Sequence, residues 1–298
     1  MKIRHLLAAA VAAVCLHAAV SAPAQAQDAR PLKFGYILAP DSQLGAGAAA
    51  FAAALEKQAP GRYKIDQFPN STLGGEVEMI KGIQIGAVDL AFITGAPLPN
   101  FVPEAGVINI PFLFRDTAHA YAVLDGPIGQ DLLTKFAAKD IVALAWGENG
   151  MRHLTNAKRP VTTPADVQGL KLRTPQSEVI MAGFKALNAD ASPLPFPQLY
   201  DALKAGQFDG QENPIATIIA SKFDQVQKHL TLTAHVYDPA VVVVSPDLWA
   251  ELSDTDKTAF TTAAKAAAAA SRTYAAEAEA KGVAQLEKAG MQVVRTVD

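Results

Sequence analysis

Gly169-Leu170-Lys171-Leu172-Arg173-Thr174-Pro175 and, a helix-sized interval further on, Phe208-Asp209-Gly210-Gln211-Glu212-Asn213-Pro214 decide how this chain reads. The first run predicts a short strand that ends in an arginine and is stopped by proline. At the mouth of a sheet a guanidinium can grip a carboxylate through two parallel hydrogen bonds. The second run places Glu212 and Asn213 on a turn before a proline, with both side chains facing one opening. Together they imply a cleft that holds a small organic anion and reads its polar groups, with no machinery for converting it.

Outward from these runs, strands alternate with helices. Leu32 to Leu38 reads as a strand, and Gly47 to Gln58 as a helix packed through Phe51, Ala54 and Leu55. Tyr63 to Phe68 alternates faces as a strand does, Val77 to Ile85 has helical spacing, and Asp89 to Ile93 is a buried strand. Ile141 to Trp146 is another strand, and Asn149-Gly150 reads as a break where the chain crosses into a second lobe. Helices are predicted over Gln176 to Leu187, Leu199 to Ala205 and Ala216 to Gln227. Val241 to Ser245 is an apolar strand returning to the first lobe. The pattern predicts an α/β fold with a largely parallel sheet. Its expected division is residues 27–149 with 238–277 in one lobe and 150–237 with 278–298 in the other. Beyond Ser253, a plausible cap, one alanine-rich helix runs to Gly290, on the order of 50 Å at 1.5 Å per residue.

The first residues have the form of an export signal. Lys2, Arg4 and His5 make a charged start, Leu6 to Val20 is an apolar stretch too short to span a bilayer, and Ala24-Gln25-Ala26 is a small-x-small cleavage site. Cleavage after Ala26 is expected, giving a periplasmic protein. The single cysteine, Cys15, lies inside this signal, so the expected mature chain has no thiol chemistry. Removing Lys2 and Arg4 from 26 basic residues against 29 acidic ones gives 24 − 29 = −5. A mildly acidic chain without basic clusters argues against nucleic acid or a membrane surface as partner. The remaining length suffices for two lobes with their own cores.

The quoted runs also resemble a known family. Gly-Leu-Lys-Leu-Arg-x-Pro followed by Asp-Gly-Gln-Glu-Asn-Pro is similar to the extracytoplasmic solute-binding proteins of TRAP transporters, of the dicarboxylate- and sialate-binding type. Phe68 to Glu76, Gly86 to Phe92, Pro111 to Phe114 and Gly150 to Asn156 fit in the same order, so the likeness covers about Leu32 to the end. It implies a two-lobed periplasmic binding protein with a long C-terminal helix bridging the lobes, closing on its ligand by hinge motion. It also implies delivery to a membrane permease of small and large subunits, driven by an ion gradient. A monomer without cofactor or metal is expected. Family members usually continue beyond the position of Asp298 into a further helix, a departure from the pattern.

For the site, the resemblance makes Arg173 the carboxylate anchor and Arg152, beside Asn149 at the expected crossing, a second anion contact. Two arginines call for compensating charge, which Glu212 or Glu76 would supply while accepting ligand hydroxyls. Asn213 offers both a donor and an acceptor, and Phe196, bracketed by Pro195 and Pro197, would pack against the ligand. Sialate-binding relatives carry polar residues where this chain has Ile37 and an acidic residue where it has Thr94, which argues against sialic acid. A hydroxylated sugar acid such as an aldonate or uronate is favoured, with C4-dicarboxylates and 2-oxo acids next. A sensor that presents an acid to a signalling receptor would share these residues. A periplasmic enzyme on small acids would need a nucleophile, a metal or an acid–base pair, and none has proper spacing. Gly45-Ala46-Gly47 mimics a dinucleotide fingerprint without its strand, and His229 with His235 lacks a third zinc ligand.

Overall fold

The computed structural model describes residues 29–297; the expected export signal lies outside them. The chain begins with β1 (Arg30–Gly35), α1 (Gln43–Gln58), β2 (Tyr63–Phe68), α2 (Glu76–Gln84) and β3 (Leu90–Thr94). It continues through α3 (Thr117–Asp125), α4 (Pro127–Lys135) and β4 (Val142–Asn156). Then follow β5 (Lys171–Thr174), α5 (Glu178–Ala186), β6 (Asp190–Pro193), α6 (Leu199–Lys204), β7 (Gly210–Pro214) and α7 (Ile215–Ala220). The last elements are β8 (His229–Val244), α8 (Pro246–Glu251), α9 (Asp254–Lys288) and β9 (Gln292–Val294).

The strands form one sheet in the order β2-β1-β3-β8-β4-β7-β5-β6, with β9 beside β8. Its outer pairs, β1 with β2 and β3, and β5 with β6 and β7, are parallel. The central pairs β3–β8, β4–β8 and β4–β7 are antiparallel. The sheet is therefore mixed rather than largely parallel, because two long strands run through its middle in opposite directions. One half of β4, from Val142 to Glu148, lies opposite Pro239 to Val244 of β8; the other, from Arg152 to Asn156, also pairs with β7.

Asn149-Gly150 is not a break in β4. The strand continues across it through an irregularity in register between Glu148 and Gly150. Gly150 has φ of +135°, and a Cβ there would fall 2.7 Å from the Pro214 ring, so only glycine is accommodated without strain.

The core divides with the sheet. Leu32, Phe34, Phe51, Phe92, Val241 to Val244 and Phe260 belong to a large cluster around β1, β3 and the second half of β8. The other end has two thinner clusters, one with Leu154, Leu172, Ile180 and Phe184, the other with Leu199, Ile215, Phe223 and Leu286. α1 starts four residues earlier than its apolar spacing predicts, because the Ser42 side chain accepts from the Gly45 N–H and caps it. Gly45 and Gly47 are packing residues. A Cβ would lie 2.1 Å from the Pro40 carbonyl oxygen at the first and 2.4 Å from the Phe92 ring at the second.

The predicted helix from Ala216 to Gln227 stops at Ala220; Lys222 adopts φ of +55°, and a single turn over Phe223–Gln225 follows. α9 extends 35 residues from its cap at Ser253. Ala259, Ala263, Ala264 and Ala267 are buried along it, and small side chains let it approach α1 closely. Near its far end Gly282 packs against Ile215 and Ile219 of α7, so α9 touches both ends of the molecule. No helix among the described residues is long and apolar enough to cross a membrane.

Candidate functional site

A narrow cleft lies where the two halves of the sheet face each other. Ile37, Glu76 and Thr94 line it from the β1–β3 end, and Asn149, Arg152, Arg173, Asn213 and Thr217 from β4, β5, β7 and α7. Pro175 and Phe196 complete the wall. Thus Arg173, Arg152, Asn213, Glu76, Phe196 and Asn149, all read from the sequence, come together here. Glu212 does not line the cavity. The sequence reading put Glu212 and Asn213 on a turn facing one opening. They are consecutive residues of strand β7, and consecutive strand side chains point to opposite faces.

Behind the wall, Glu212 is fully buried and engages Arg152. Its Oε2 accepts from Arg152 Nε, and its Oε1 accepts from Arg152 Nη2 at 2.8 Å. Nη2 also donates to the Glu212 carbonyl, and Nη1 donates to Asp238 Oδ2 at 2.6 Å. The Arg152 cation is thus balanced by two carboxylates. Burial opposes its charge, but Glu212 and Asp238 outweigh burial and raise its pKa. Burial likewise pushes Glu212 up, yet Arg152 and the His235 hydrogen bond bring it down to about 2. His235 Nε2 lies 3.0 Å from Glu212 Oε2, and the Thr233 hydroxyl lies 2.7 Å from Nδ1. Burial holds this imidazole below its ordinary pKa. With Glu212 ionised, Nε2 donates and Nδ1 accepts.

Arg173 is different. It is 2 % exposed, and its Nε and Nη2 both donate to the Leu194 carbonyl, at 2.9 and 2.7 Å. No carboxylate pairs with it among the described residues. Burial, reinforced by the Arg152 charge, depresses its pKa to about 9, with Glu212 and Glu76 only partly offsetting. A guanidinium has five N–H groups, so Nη1 keeps both of its donors on a side chain that faces the cavity.

Glu76 opens α2, where the helix dipole favours a carboxylate. Its Oε1 accepts from the Thr94 N–H at 2.6 Å and its Oε2 from the Thr94 hydroxyl at 3.0 Å. Burial nevertheless raises its pKa to about 7 against those two bonds. Asn149 is held on three sides. Its Oδ1 accepts from Gln43 Nε2 and the Thr217 hydroxyl, and its Nδ2 donates to Asp238. Asn213, which lines the cleft, donates through Nδ2 to Gln211 Oε1.

Asp238, Gln43 and Thr217 were not singled out in the sequence, and His235 was weighed there only as a zinc ligand. Asp238 and His235 lie more than 80 residues from Arg152 and reach it only because β8 runs antiparallel to β4. Thr217 offers one signal, a hydroxyl in the first turn of the helix that follows Asn213-Pro214. No group of three or more metal-ligating side chains occurs among the described residues.

A mixed sheet crossed by two long strands, with a buried and uncompensated arginine at the junction, defines a two-lobed binding protein. Residues 34–297 match the family described as bacterial extracellular solute-binding protein, family 7, and the chain belongs to it. It is a solute-binding protein of the TRAP type and not an enzyme. A solute-binding protein of Verminephrobacter eiseniae is 48 % identical over 260 residues, covering 87 % of this chain and 78 % of the relative. A TRAP periplasmic solute-binding protein of Polaromonas sp. JS666, solved bound to D-erythronate, is 51 % identical with a TM-score of 0.89, covering 90 % of this chain and 89 % of that one. One from Bordetella bronchiseptica, its bound density assigned as pantoate, is 49 % identical with a TM-score of 0.89 and the same coverage.

Proposed function

We propose that this protein is the periplasmic receptor of a TRAP transporter for a small hydroxylated acid of the sugar-acid class. The observation that carries the reading is the buried Arg173, without a carboxylate partner among the described residues, which calls for an anion from a ligand. The ligand carboxylate takes Nη1 of Arg173, and the remaining N–H of Arg152 Nη1 adds a second donor. Asn213, Asn149 and Thr217 read the neighbouring oxygens, Glu76 accepts from ligand hydroxyls, and Phe196 covers the carbon chain. Glu212 fixes Arg152 from behind. D-erythronate and pantoate, the molecules associated with two similar structures, each carry one carboxylate and at least two hydroxyls, which supports this class.

The lobes divide at residues 149 and 238, where β4 and β8 pass between them, with 27–149 and 238–277 forming one and 150–237 and 278–298 the other. Closure about this junction excludes water and strengthens each charge-assisted bond. The closed, loaded monomer is what the small and large permease subunits recognise. The chain reaches the periplasm after cleavage following Ala26.

A thermal-shift screen of the mature protein, refolded to strip bound ligand, tests the reading against aldonates, uronates, C4-dicarboxylates, 2-oxo acids and aromatic acids. A ligand at a hundred times its Kd adds about 2.7 kcal/mol, a shift of several degrees. Hits confined to hydroxylated acids support the assignment. A folded protein that none of these acids stabilises overturns it.

A further inference from the structure

The charges around the cavity do not simply add up to an anion site. Arg152 is already balanced by Glu212 and Asp238. Arg173 is the one lining cation without a carboxylate partner among the described residues. The third lining charge is the Glu76 carboxylate, which cannot swing away because Thr94 holds both of its oxygens through backbone N–H and hydroxyl. The cleft therefore has room for one anionic group, beside Arg173, and presents a fixed carboxylate to the rest of the ligand.

We infer that Glu76 is the specificity-determining residue that restricts this receptor to acids with a single carboxylate and excludes dicarboxylates of the same length. The inference rests on the function proposed above and sharpens it. A carboxylate oxygen has more acceptor sites than its one Thr94 bond uses, so a ligand hydroxyl donates to Glu76. A second ligand carboxylate has no proton to donate. In a narrow cleft lined by Glu76 as well as Arg173 it also stays close to Glu76, and among the described residues no other unpaired lining cation is left to receive it. Hydroxyl acceptance and carboxylate rejection are thus one property of one side chain.

The other charged groups around Glu76 are Arg152 on β4, Arg173 on β5 and Asp238 on β8. Asp238 adds to the repulsion of a second carboxylate, and the two arginines are committed as described. Protonating Glu76 would turn it from a repelling group into a hydrogen-bond donor. Because burial places its pKa at about 7, that change falls within an accessible range.

The test compares two four-carbon acids, D-erythronate and succinate, by titration calorimetry at pH 8 with the mature wild type and Glu76→Gln. The wild type is expected to bind erythronate at least ~100-fold more tightly than succinate, the scale of like-charge discrimination at buried sites. Glu76→Gln should narrow that ratio by ~10-fold or more, chiefly through tighter succinate binding. An unchanged ratio in the variant, or a wild type that binds both acids alike, overturns the inference while leaving the receptor assignment standing. Wild-type protein that binds no acid overturns the assignment and the inference with it. Should the variant fail to fold, the wild type alone decides. Its erythronate preference should fall several-fold between pH 8 and pH 6.5, and a pH-independent ratio refutes the role of Glu76.

Discussion

Replacing Arg173 with methionine should move binding and stability in opposite directions. Two charge-assisted hydrogen bonds to a ligand carboxylate, at about 1.5–3 kcal/mol each, are lost, so acid affinity should fall by roughly 10²–10⁴-fold. The unliganded fold should gain. Burial and the neighbouring Arg152 depress the Arg173 pKa from 12.5 to about 9. At about 1.4 kcal/mol per decade, holding this cation costs the empty protein about 5 kcal/mol. Against that relief, the Leu194 carbonyl loses both of its donors, a cost of about 1–3 kcal/mol. Methionine fills similar volume without charge. The net expectation is a ligand-free Tm several degrees above wild type, with acid binding reduced to the limit of calorimetry. Wild-type affinity in the variant refutes the pocket assignment. A ligand-free Tm several degrees below wild type refutes the claim that Arg173 is an uncompensated charge.

Arg152→Met should do the reverse, because it leaves Glu212 and Asp238 buried without their counter-ion. A loss of about 3–5 kcal/mol and a Tm lower by ~10 °C is expected in melts without ligand, and an unchanged Tm would contradict the described network. Glu148, buried with the Tyr237 hydroxyl donating to its Oε2, is raised from 4.5 to about 7, first by burial. Its folded pKa lies above its unfolded one, so the folded state binds more protons between pH 4.5 and 7 and loses stability as pH rises through that window. The advantage of Glu148→Gln over wild type in urea melts should therefore grow from pH 5 to pH 7, by up to about 3 kcal/mol, and level off above; a constant difference rules this out. Ala267→Leu, placed where α9 meets α1 and fully buried, should cost about 1–3 kcal/mol by overpacking, and a neutral effect would show that the contact can give way.

Local features were legible where local physics decides. The alanine run after Ser253 reads as one long helix because propensity and cap agree, and its observed ends lie within two residues of the expected ones. The pair of arginines and the Asn213 run were found because short motifs carry them. The central strands were under-read. β4 contains Gly147-Glu148-Asn149-Gly150, polar and glycine-rich, which resembles a loop until neighbours pair on both sides. β8 holds Thr231, Thr233, His235 and Asp238 within its span, and only burial between β3, β4 and β9 makes that a strand. The same pairing hid half of the site. Nothing in the spacing of Arg152, Glu212, His235 and Asp238 announces a network, since its members meet through antiparallel register. The two faces of Glu212 and Asn213 were confused because a proline at the end of a strand looks like one after a turn.

The long helix is gripped unevenly. Buried positions recur from Asp256 through Ala275, after which only Gly282 and Leu286 are buried. Mechanically it is a beam clamped along most of its length and held at a few points near the tip. Ala275, where the clamp ends, lines the same recess as Glu148 and Gly150, between which β4 shifts register. The closely buried stretch of the helix thus ends beside the register irregularity of the sheet, so a rotation of one end of the molecule against the other would bend both at one place, with the free third of the beam as its lever arm.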